Sequence, residues 1–179
     1  ILIFAPIFAA LWAWLAARKL DLNPTMKFGL GLIQVGLGFM VVVWGAGMAD
    51  DSFRLPLMLL GLLYLLHTTG ELFLSPVGLS AMTKLTPVPI AATMMATWYL
   101  GSSIAQAVQA QITKLTAQET VGGQVLDPAL ALKTYAEVFT NVGLWGIGIG
   151  VGLGIASPFL NKLAHLQDKP KDAAPQAAE

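Results

Sequence analysis

Long apolar segments alternate with short polar borders along this chain of 179 residues. Charged or Pro/Gly-rich borders delimit five such segments, at about 1–17, 27–48, 55–85, 89–113 and 135–160. A helix rises about 1.5 Å per residue, so about 20 apolar residues cross a hydrocarbon core of about 30 Å. The pattern predicts an all-α membrane protein with five transmembrane helices in one bundle over residues 1–167. The segment 168–179, rich in Ala and charged residues, predicts a disordered cytoplasmic tail.

Composition agrees with a membrane protein and argues against several other classes. Hydrophobic residues make up 56% of the chain and charged residues 11%, whereas soluble domains have about 25% charged residues. The net charge is zero and no basic block exceeds two residues, so no nucleic-acid partner is predicted. Cysteine is absent and His67 and His165 lie far apart in sequence, so neither a metal site nor a cofactor is predicted.

The first apolar segment starts without any polar border. The run ILIFAPIFAALWAWLAA has no initiator methionine and no basic region ahead of it, so it does not resemble a signal peptide. As a helix it would be about 25 Å long, slightly shorter than the hydrocarbon core. We therefore expect the chain to begin inside a helix, as the C-terminal part of a longer protein.

The basic residues predict how the chain is oriented. If the five helices alternate in direction, seven of the ten basic residues share one side of the membrane: Arg18, Lys19, Lys27, Lys84, Lys162, Lys169 and Lys171. The remaining three, Arg54, Lys114 and Lys133, lie on the other side. Because cytoplasmic loops carry an excess of Lys and Arg, the first side is predicted to be cytoplasmic. The prediction is a multi-pass protein of the plasma membrane, in a bacterium the inner membrane, with a cytoplasmic C-terminus.

Two predicted helices carry regularly spaced glycines. The second has a glycine every seven residues, at Gly31, Gly38 and Gly45. The fifth has a stripe with a spacing of four and further glycines beside it: Gly146, Gly150 and Gly154, with Gly148 and Gly152. Small residues at such spacing let helix backbones approach closely in a membrane, so the spacing predicts tight helix packing. The alternative is that these glycines are ordinary constituents of membrane helices.

One acidic residue lies deep inside an apolar segment. Glu71 is near the midpoint of 55–85, whereas the other acidic residues lie in loops, in the tail or, for Glu137, near the outer end of the last segment. An ionisable group at that depth costs about 3 kcal/mol on insertion scales, so Glu71 should face the bundle interior or a wet cavity. Burial favours its neutral form and a nearby cation its charged form, which predicts a proton-accepting site. A permanently protonated structural glutamate is the alternative.

Polar residues follow Glu71 along the same predicted helix. His67, Glu71 and Ser75 are spaced at i, i+4 and i+8 and are predicted to share a face. Pro76 cannot donate a backbone hydrogen bond, so the helix is predicted to kink or open one turn beyond Glu71. For His67, a role as a hydrogen-bonded packing residue and a role as a proton relay both remain open.

The fourth segment carries a tryptophan near mid-depth, away from the interface where aromatic residues usually lie. Trp98 could close an apolar pocket or pack against another helix. Ser102 lies one turn further out on its face, and Met95 one turn toward the cytoplasm. Leu79 lies two turns beyond Glu71, also toward the cytoplasm. This spacing predicts a cavity between Glu71 and Trp98, with Leu79 and Met95 as a thin inner gate.

These motifs also carry a resemblance. The run LHTTGELFLSPVGLSAMTKLTPVPI, together with ILIFAPIFAALWAWL and MKFGLGLIQVGLGF, resembles the C-terminal half of the proton-dependent oligopeptide transporter (POT/PTR) family of the major facilitator superfamily. The resemblance covers residues 1 to about 163. It implies a twelve-helix transporter of two six-helix bundles, in which the five segments are helices eight to twelve. It also implies proton-coupled symport of di- and tripeptides into the cytoplasm.

The resemblance assigns roles to individual residues. It implies that Glu71 binds the peptide amino terminus and couples transport to protons, and that Ser75 and Trp98 contribute to the peptide pocket. Ser102 is predicted to bind substrate as well, because it lies on the same face as Trp98. Leu79 and Met95 match the inner-gate positions. The family's first-helix ExxER signature, fourth-helix lysine, seventh helix and nearby asparagine are not in this chain. The expected partners are therefore peptides, protons, the lipid bilayer and the missing N-terminal bundle.

Three other functions remain open from the sequence. The first is a carrier of the same family for nitrate or amino-acid derivatives. The second, an intramembrane hydrolase using Ser75 or Ser80 with His67, is disfavoured because no nucleophile turn is present and Ser75 lies two turns from His67 on one helix. The third is a structural membrane subunit without transport, which predicts that Glu71 and Trp98 tolerate substitution.

Overall fold

Five helices account for most of the chain. A computed structural model describes residues 3–18, 20, 22–117, 120–121 and 124–163. The helices are α1 (Phe4–Ala17), α2 (Pro24–Ala46), α3 (Leu57–Leu85), α4 (Ala91–Leu115) and α5 (Pro128–Leu163), with a 3-10 turn at Val88–Ile90. Between α4 and α5, the two-residue strands β1 (Thr120–Val121) and β2 (Gln124–Val125) pair antiparallel. The predicted tail at 168–179 and His165 lie outside the described residues.

Each predicted segment contains one helix, but two helices begin earlier than predicted. The backbone N–H of Met26 donates to Asn23 Oδ1 at 2.9 Å, and that of Leu130 donates to Asp127 Oδ1 at 2.9 Å. Proline follows each cap residue, at the helix position where a missing N–H costs nothing. Helix α5 therefore starts at Pro128 instead of about 135, because the capping signal outweighs the polar composition of this stretch.

Not every helix is equally suited to cross a membrane. Within the described residues, three helices are long and apolar enough to do so: α2, α3 over Leu57–Lys84, and α5. Helix α1 has 14 described residues and α4 is more polar than the other four helices. The all-α membrane fold is confirmed, whereas the number of five spans stays a prediction for α1 and α4.

Glycines allow α2 and α5 to touch along their backbones. A Cβ atom placed on Gly29 would lie 2.7 Å from the carbonyl oxygen of Gly150, and one on Gly150 would lie 2.6 Å from that of Gly29. Seven residues further along, a Cβ on Gly36 would lie 2.7 Å from the carbonyl oxygen of Gly143. Because rising numbers on α2 meet falling numbers on α5, the two helices run antiparallel. Only a hydrogen atom fits at these positions, so van der Waals contact between backbones holds the pair.

The opposite side of α2 packs against α3 through the glycines predicted for it. Gly31 lies against Gly70, with Cβ-to-oxygen distances of 3.1 and 3.2 Å in the two directions. Gly38 lies under the His67 ring, and Gly45 contacts Leu59. The stripe at 31, 38 and 45 is thus confirmed as a packing surface.

The predicted glycines of α5 are only partly in contact with a neighbour. Gly146 and Gly150 face α2, and the backbone nitrogen of Gly154 would lie 3.3 Å from a Cβ on Gly29. A Cβ on Gly148 or Gly152, by contrast, would meet no atom of another described helix within 4 Å. Gly143 also belongs to the contact, at the interval of seven residues at which two nearly antiparallel helices meet. The stripe at 146, 150 and 154 is thus confirmed as a packing surface, whereas Gly148 and Gly152 lie outside it.

Aromatic rings attach α1 to α3. Phe8 and Trp12 of α1 meet Phe73 of α3 edge-on, with ring centroids 5.3 and 5.2 Å apart. The ammonium of Lys27 at the start of α2 lies 4.4 Å from the centroid of the Trp12 ring. Edge-on aromatic pairs and cation–π contacts stabilise this packing where α1 makes few other contacts.

The two ends of the bundle differ. At the end predicted to be cytoplasmic, here the inner end, the buried Ser157 Oγ of α5 donates to Asn23 Oδ1 at 2.7 Å and joins α5 to the cap of α2. At the opposite, outer end, Asp50 Oδ1 accepts hydrogen bonds from the backbone N–H groups of Ser52 and Arg54, and Phe53 has a φ of 59°. This aspartate-centred turn supports the left-handed residue and reverses the chain between α2 and α3.

Candidate functional site

The Trp98 side chain is seated on the backbone of a neighbouring helix. A Cβ atom on Gly78 of α3 would lie 2.6 Å from Trp98 Cζ3, 2.8 Å from Cζ2 and closer still to Cη2. Phe28 of α2 meets the indole edge-on, with ring centroids 6.4 Å apart and an angle of 82° between the planes. The ring is half-buried. Three helices thus determine where this indole lies, and the missing side chain of Gly78 makes room for it.

A shallow depression of about 360 Å³ opens beside Trp98. Its wall comes from α4 and from one residue of α3: Met82, Thr97, Trp98, Gly101, Ser102 and Ala105. The hydroxyl of Ser102 donates to the backbone carbonyl of Trp98 at 3.4 Å. The structure therefore brings together two of the predicted pocket residues, Trp98 and Ser102.

Glu71 does not line this depression and lies outward of Trp98 on α3. Its side chain is exposed, and it has no hydrogen-bond or ion-pair partner among the residues that the structure describes. Since Gly78 is level with Trp98, Glu71 lies about 10 Å further toward the outer end. That is the level of Ala105 on the antiparallel α4. Ser75, one turn inward of Glu71, is half-buried.

Helix α3 continues through its proline. Pro76 lies inside Leu57–Leu85, and no break in the helix separates Glu71 from Gly78. Proline removes one backbone hydrogen bond without necessarily ending a helix. The predicted opening of the helix at Pro76 is therefore not found between Leu57 and Leu85. The predicted kink at Pro76 stays a prediction.

The predicted gate residues lie inward of the Trp98 contact. Leu79 directly follows Gly78 on α3, and Met95 lies one turn before Trp98 on α4; both side chains are half-buried. Neither residue lines the depression, which reaches further inward along α3 to Met82. Their role as a gate stays a prediction.

His67 faces α2 and is separated from the other residues of its predicted polar face. Its Nε2 donates to the carbonyl oxygen of Val35 at 3.2 Å, and its ring lies 4.7 Å from that of Phe39. Glu71, by contrast, is exposed. Of the two roles open to His67, this geometry supports hydrogen-bonded packing. It also counts against the hydrolase, because the imidazole is directed at Val35 and away from a serine.

Sequence reasoning missed a polar contact next to His67. The side-chain amide of Gln34 on α2 donates to the hydroxyl of Thr69, which in turn donates to the carbonyl of Leu65 at 2.7 Å. Thr69 is buried. The available signal was Gln34, a carboxamide inside an apolar segment, because a polar group at that depth requires a partner.

Other candidate features of the described residues contain none of the predicted site residues. A depression of about 410 Å³ lies on the outer part of α5, where Lys133 and Glu137 are 3.9 Å apart on exposed side chains. Among the described residues, no group of three His, Cys, Asp or Glu side chains is placed to hold a metal ion.

The helices and their contacts define the class of protein. Antiparallel apolar helices packed through glycines, with a carboxylate in the middle of one of them and a depression beside Trp98, are typical of multi-pass membrane transporters. The family profile PTR2, the POT family, matches residues 1–153. The chain belongs to the POT family, as its motifs predicted.

Curated relatives and solved structures agree with this family. The chain is 34% identical to the di-/tripeptide transporter of Lactococcus lactis (strain IL1403), over 91% of this chain and 30% of the relative. It is 31% identical to the dipeptide and tripeptide permease A of Edwardsiella piscicida, over 91% and 32% respectively. With the uncharacterized transporter YclF of Bacillus subtilis it shares 43% identity over 64% of this chain and 23% of that protein.

The fold matches crystal structures of a peptide transporter POT. The structure of that protein in complex with sulfate superimposes with a TM-score of 0.74 at 32% identity, over 91% of this chain and 30% of that one. A mutant in complex with alafosfalin gives the same values. The chain thus spans about a third of the length of these curated relatives and solved structures.

Proposed function

We propose that this chain supplies five helices of a proton-coupled symporter that carries di- and tripeptides into the cytoplasm. The Lactococcus and Edwardsiella relatives are named as transporters of such peptides, and the solved relative is a peptide transporter. The observation that carries the proposal is an exposed carboxylate on a membrane helix, without a partner among the described residues and about 10 Å outward of Trp98, which lines a depression. The rest of the transporter, including an N-terminal bundle, would complete the cavity.

Glu71 would link the proton to the substrate. In its charged form it attracts the ammonium group of a peptide, and this attraction is strong where little water screens it. Protonation neutralises the carboxylate, so the attraction is lost and the peptide is released. Competition at this carboxylate alone would exchange a proton for a peptide, so symport also requires a second proton-binding group in the rest of the transporter, which holds the proton while Glu71 holds the peptide. The proton is then the coupling ion, and no cofactor is needed.

The other predicted residues would shape the space around this carboxylate. Ser75, one turn inward, offers a hydroxyl to the peptide. Trp98 provides a flat apolar floor, and Ser102 borders it. Leu79 and Met95 would separate when the two bundles rock toward the inward-open state. The plasma-membrane location and the cytoplasmic C-terminus remain part of this proposal.

The test is uptake of labelled dialanine by proteoliposomes containing a full-length transporter that includes this chain. With an imposed pH gradient, we expect Glu71→Gln to abolish accumulation above equilibrium, because its amide cannot exchange a proton. Glu137→Gln is the matched control, since Glu137 is exposed beside Lys133 at the outer end of α5. Accumulation by Glu71→Gln at the level of the unmodified protein would contradict the role.

Competition with other solutes tests the substrate class. Unlabelled dialanine and trialanine should reduce uptake of labelled dialanine, whereas alanine and nitrate should not. Stronger competition by nitrate or by a single amino acid would instead assign the protein to another solute.

A further inference from the structure

One face of α4 carries an unbroken line of side chains from the inner gate position to the outer end. At about 100° per residue, six residues fall within an arc of about 80°. They are Met95, Trp98, Ser102, Gln106, Gln109 and Thr113. The outer half of this line is polar and includes two glutamines. We call these six residues the α4 stripe.

The opposite face of α4 has a different character. Its large side chains are mostly apolar and exposed: Leu100, Ile104, Val108 and Leu115. Its one glutamine, Gln111, lies one turn before the outer end of α4, where a long side chain can reach water. The rest of this face can lie against lipid. The α4 stripe cannot, because a carboxamide facing lipid leaves its donors and acceptor without partners. The stripe must therefore face either another protein surface or water.

The contact between Gly78 and Trp98 shows which residues of the α4 stripe lie at the same level along the bundle as Glu71. Because Gly78 is level with Trp98, Gln106 lies about 12 Å outward of Trp98, close to the level of Glu71. Gln109 lies about one turn further out. Both glutamine side chains are exposed, and neither has a hydrogen-bond partner within the described part of the chain.

We propose that Gln106 and Gln109 line the outer access path of the transporter and hydrogen-bond the backbone of an incoming peptide. This inference rests on the proposed function. The depression beside Trp98 extends outward along α4 to Ser102 and Ala105. Gln106 lies one turn beyond Ser102, and Gln109 one turn beyond Ala105. This continuity favours a wet path over contact with another helix.

The chemistry of the two side chains fits a peptide. A carboxamide has both donors and an acceptor, as does each peptide bond, so a glutamine can bind the main chain whatever the side chains are. Gln106 is close to the level of Glu71, so a peptide whose ammonium group is at Glu71 would have its first peptide bond near this level. An extended tripeptide is about 10 Å long, which is close to the interval between Trp98 and Gln106.

Transport kinetics test the inference. In the full-length transporter, we expect Gln106→Leu and Gln109→Leu each to raise the KM for dialanine about three- to tenfold, the effect of losing one hydrogen bond. Gln111→Leu is the matched control, because it removes the same group from the opposite face of the same helix. An unchanged KM in both stripe variants, or an equal rise for Gln111→Leu, would overturn the inference.

Chemical labelling provides a second readout that does not depend on transport rates. The chain contains no cysteine, so Gln106→Cys, Gln109→Cys and Gln111→Cys introduce single thiols once any cysteines elsewhere in the transporter are replaced. A membrane-impermeant maleimide added from outside should label the first two, and dialanine should slow that labelling at least threefold. Dialanine should not slow labelling of Gln111→Cys.

The two proposals fail in different ways. If the unmodified transporter does not take up dialanine, the proposed function itself is overturned. If uptake is normal but the thiols at 106 and 109 are unlabelled, or labelled at the same rate with and without dialanine, only this inference is overturned. The stripe would then be a surface that packs against another helix.

Discussion

The indole of Trp98 on α4 packs directly against the backbone of Gly78 on α3, and no residue larger than glycine fits at position 78 beside it. The six-membered ring of the indole lies where the Cβ of any other residue at position 78 would be, with Cζ3 and Cζ2 at 2.6 and 2.8 Å from that point. The floor of the proposed pocket is therefore set by the backbone of α3. A larger residue at position 78 should therefore change the shape of the pocket, although every side chain that lines the pocket is still present.

Alanine at position 78 is expected to displace the indole. We expect Gly78→Ala to push Trp98 into the depression and to raise the KM for dialanine about tenfold or more, since overpacking of a tight contact costs about 1–3 kcal/mol. The measurement is dialanine uptake together with the emission maximum of Trp98 in a background where the other tryptophans are phenylalanine. Gly61→Ala is the control on the same helix, because a Cβ there meets no atom within 4 Å.

A double-mutant cycle shows whether the effect passes through the ring. Phenylalanine is smaller than tryptophan, so Gly78→Ala should be much less harmful when Trp98→Phe is already present. If Gly78→Ala raised the KM for dialanine equally with Trp98 and with Trp98→Phe, the effect of position 78 would not pass through the indole ring. A penalty from Gly61→Ala of the same size would point to a general effect of alanine in α3.

Two glycines on α5 should respond differently to the same substitution. At Gly150 an added Cβ would lie 2.6 Å from the carbonyl oxygen of Gly29, whereas at Gly148 it would meet no atom within 4 Å. We expect Gly150→Ala to lower the free energy of unfolding by about 1–3 kcal/mol, because backbone atoms cannot move aside as a flexible side chain can. Gly148→Ala should be neutral or slightly stabilising. Thermal unfolding in detergent compares the two, and equal melting temperatures would contradict this account of the α2–α5 contact.

His67 is expected to support structure and to take no part in proton coupling. Its Nε2 donates to Val35 O, so His67→Gln, whose amide can make the same bond, should leave the dependence of uptake on external pH unchanged. His67→Leu should lower the free energy of unfolding by about 1–2 kcal/mol, since it leaves the Val35 carbonyl without this donor, and should also keep the pH profile. Initial uptake rates from pH 5 to 8 provide the measurement. A flattened or shifted profile in His67→Gln would establish a proton relay.

Local sequence features were sufficient to locate the elements of the fold. Helix α3 was predicted at 55–85 and lies at Leu57–Leu85, because apolar length and charged borders are properties of a single segment. The position of Glu71 near the middle of α3 followed from counting residues along the segment. The motif around GELFLSPVG was enough to indicate the family that the profile match establishes.

Two features of the structure differ from the predictions although the sequence contains a local signal for each. Helix α5 begins at Pro128 because Asp127 caps it, although the first residues of this helix are polar in composition. Gln34 contacts Thr69, since a carboxamide in an apolar helix requires a partner. Both features depend on hydrogen bonds that the backbone and buried side chains need, which composition alone does not show.

The amino-acid sequence by itself determined which segments are helices and to which family the chain belongs, because these depend on local hydropathy and on motifs. Only the tertiary structure decided which way each helix is turned. It paired Gly29 with Gly150, directed His67 at Val35 and seated Trp98 on Gly78. These contacts depend on the rotation of two helices about their axes and on the distance between them. Both are set by how the whole helix surfaces pack, and the sequence of one segment does not specify this.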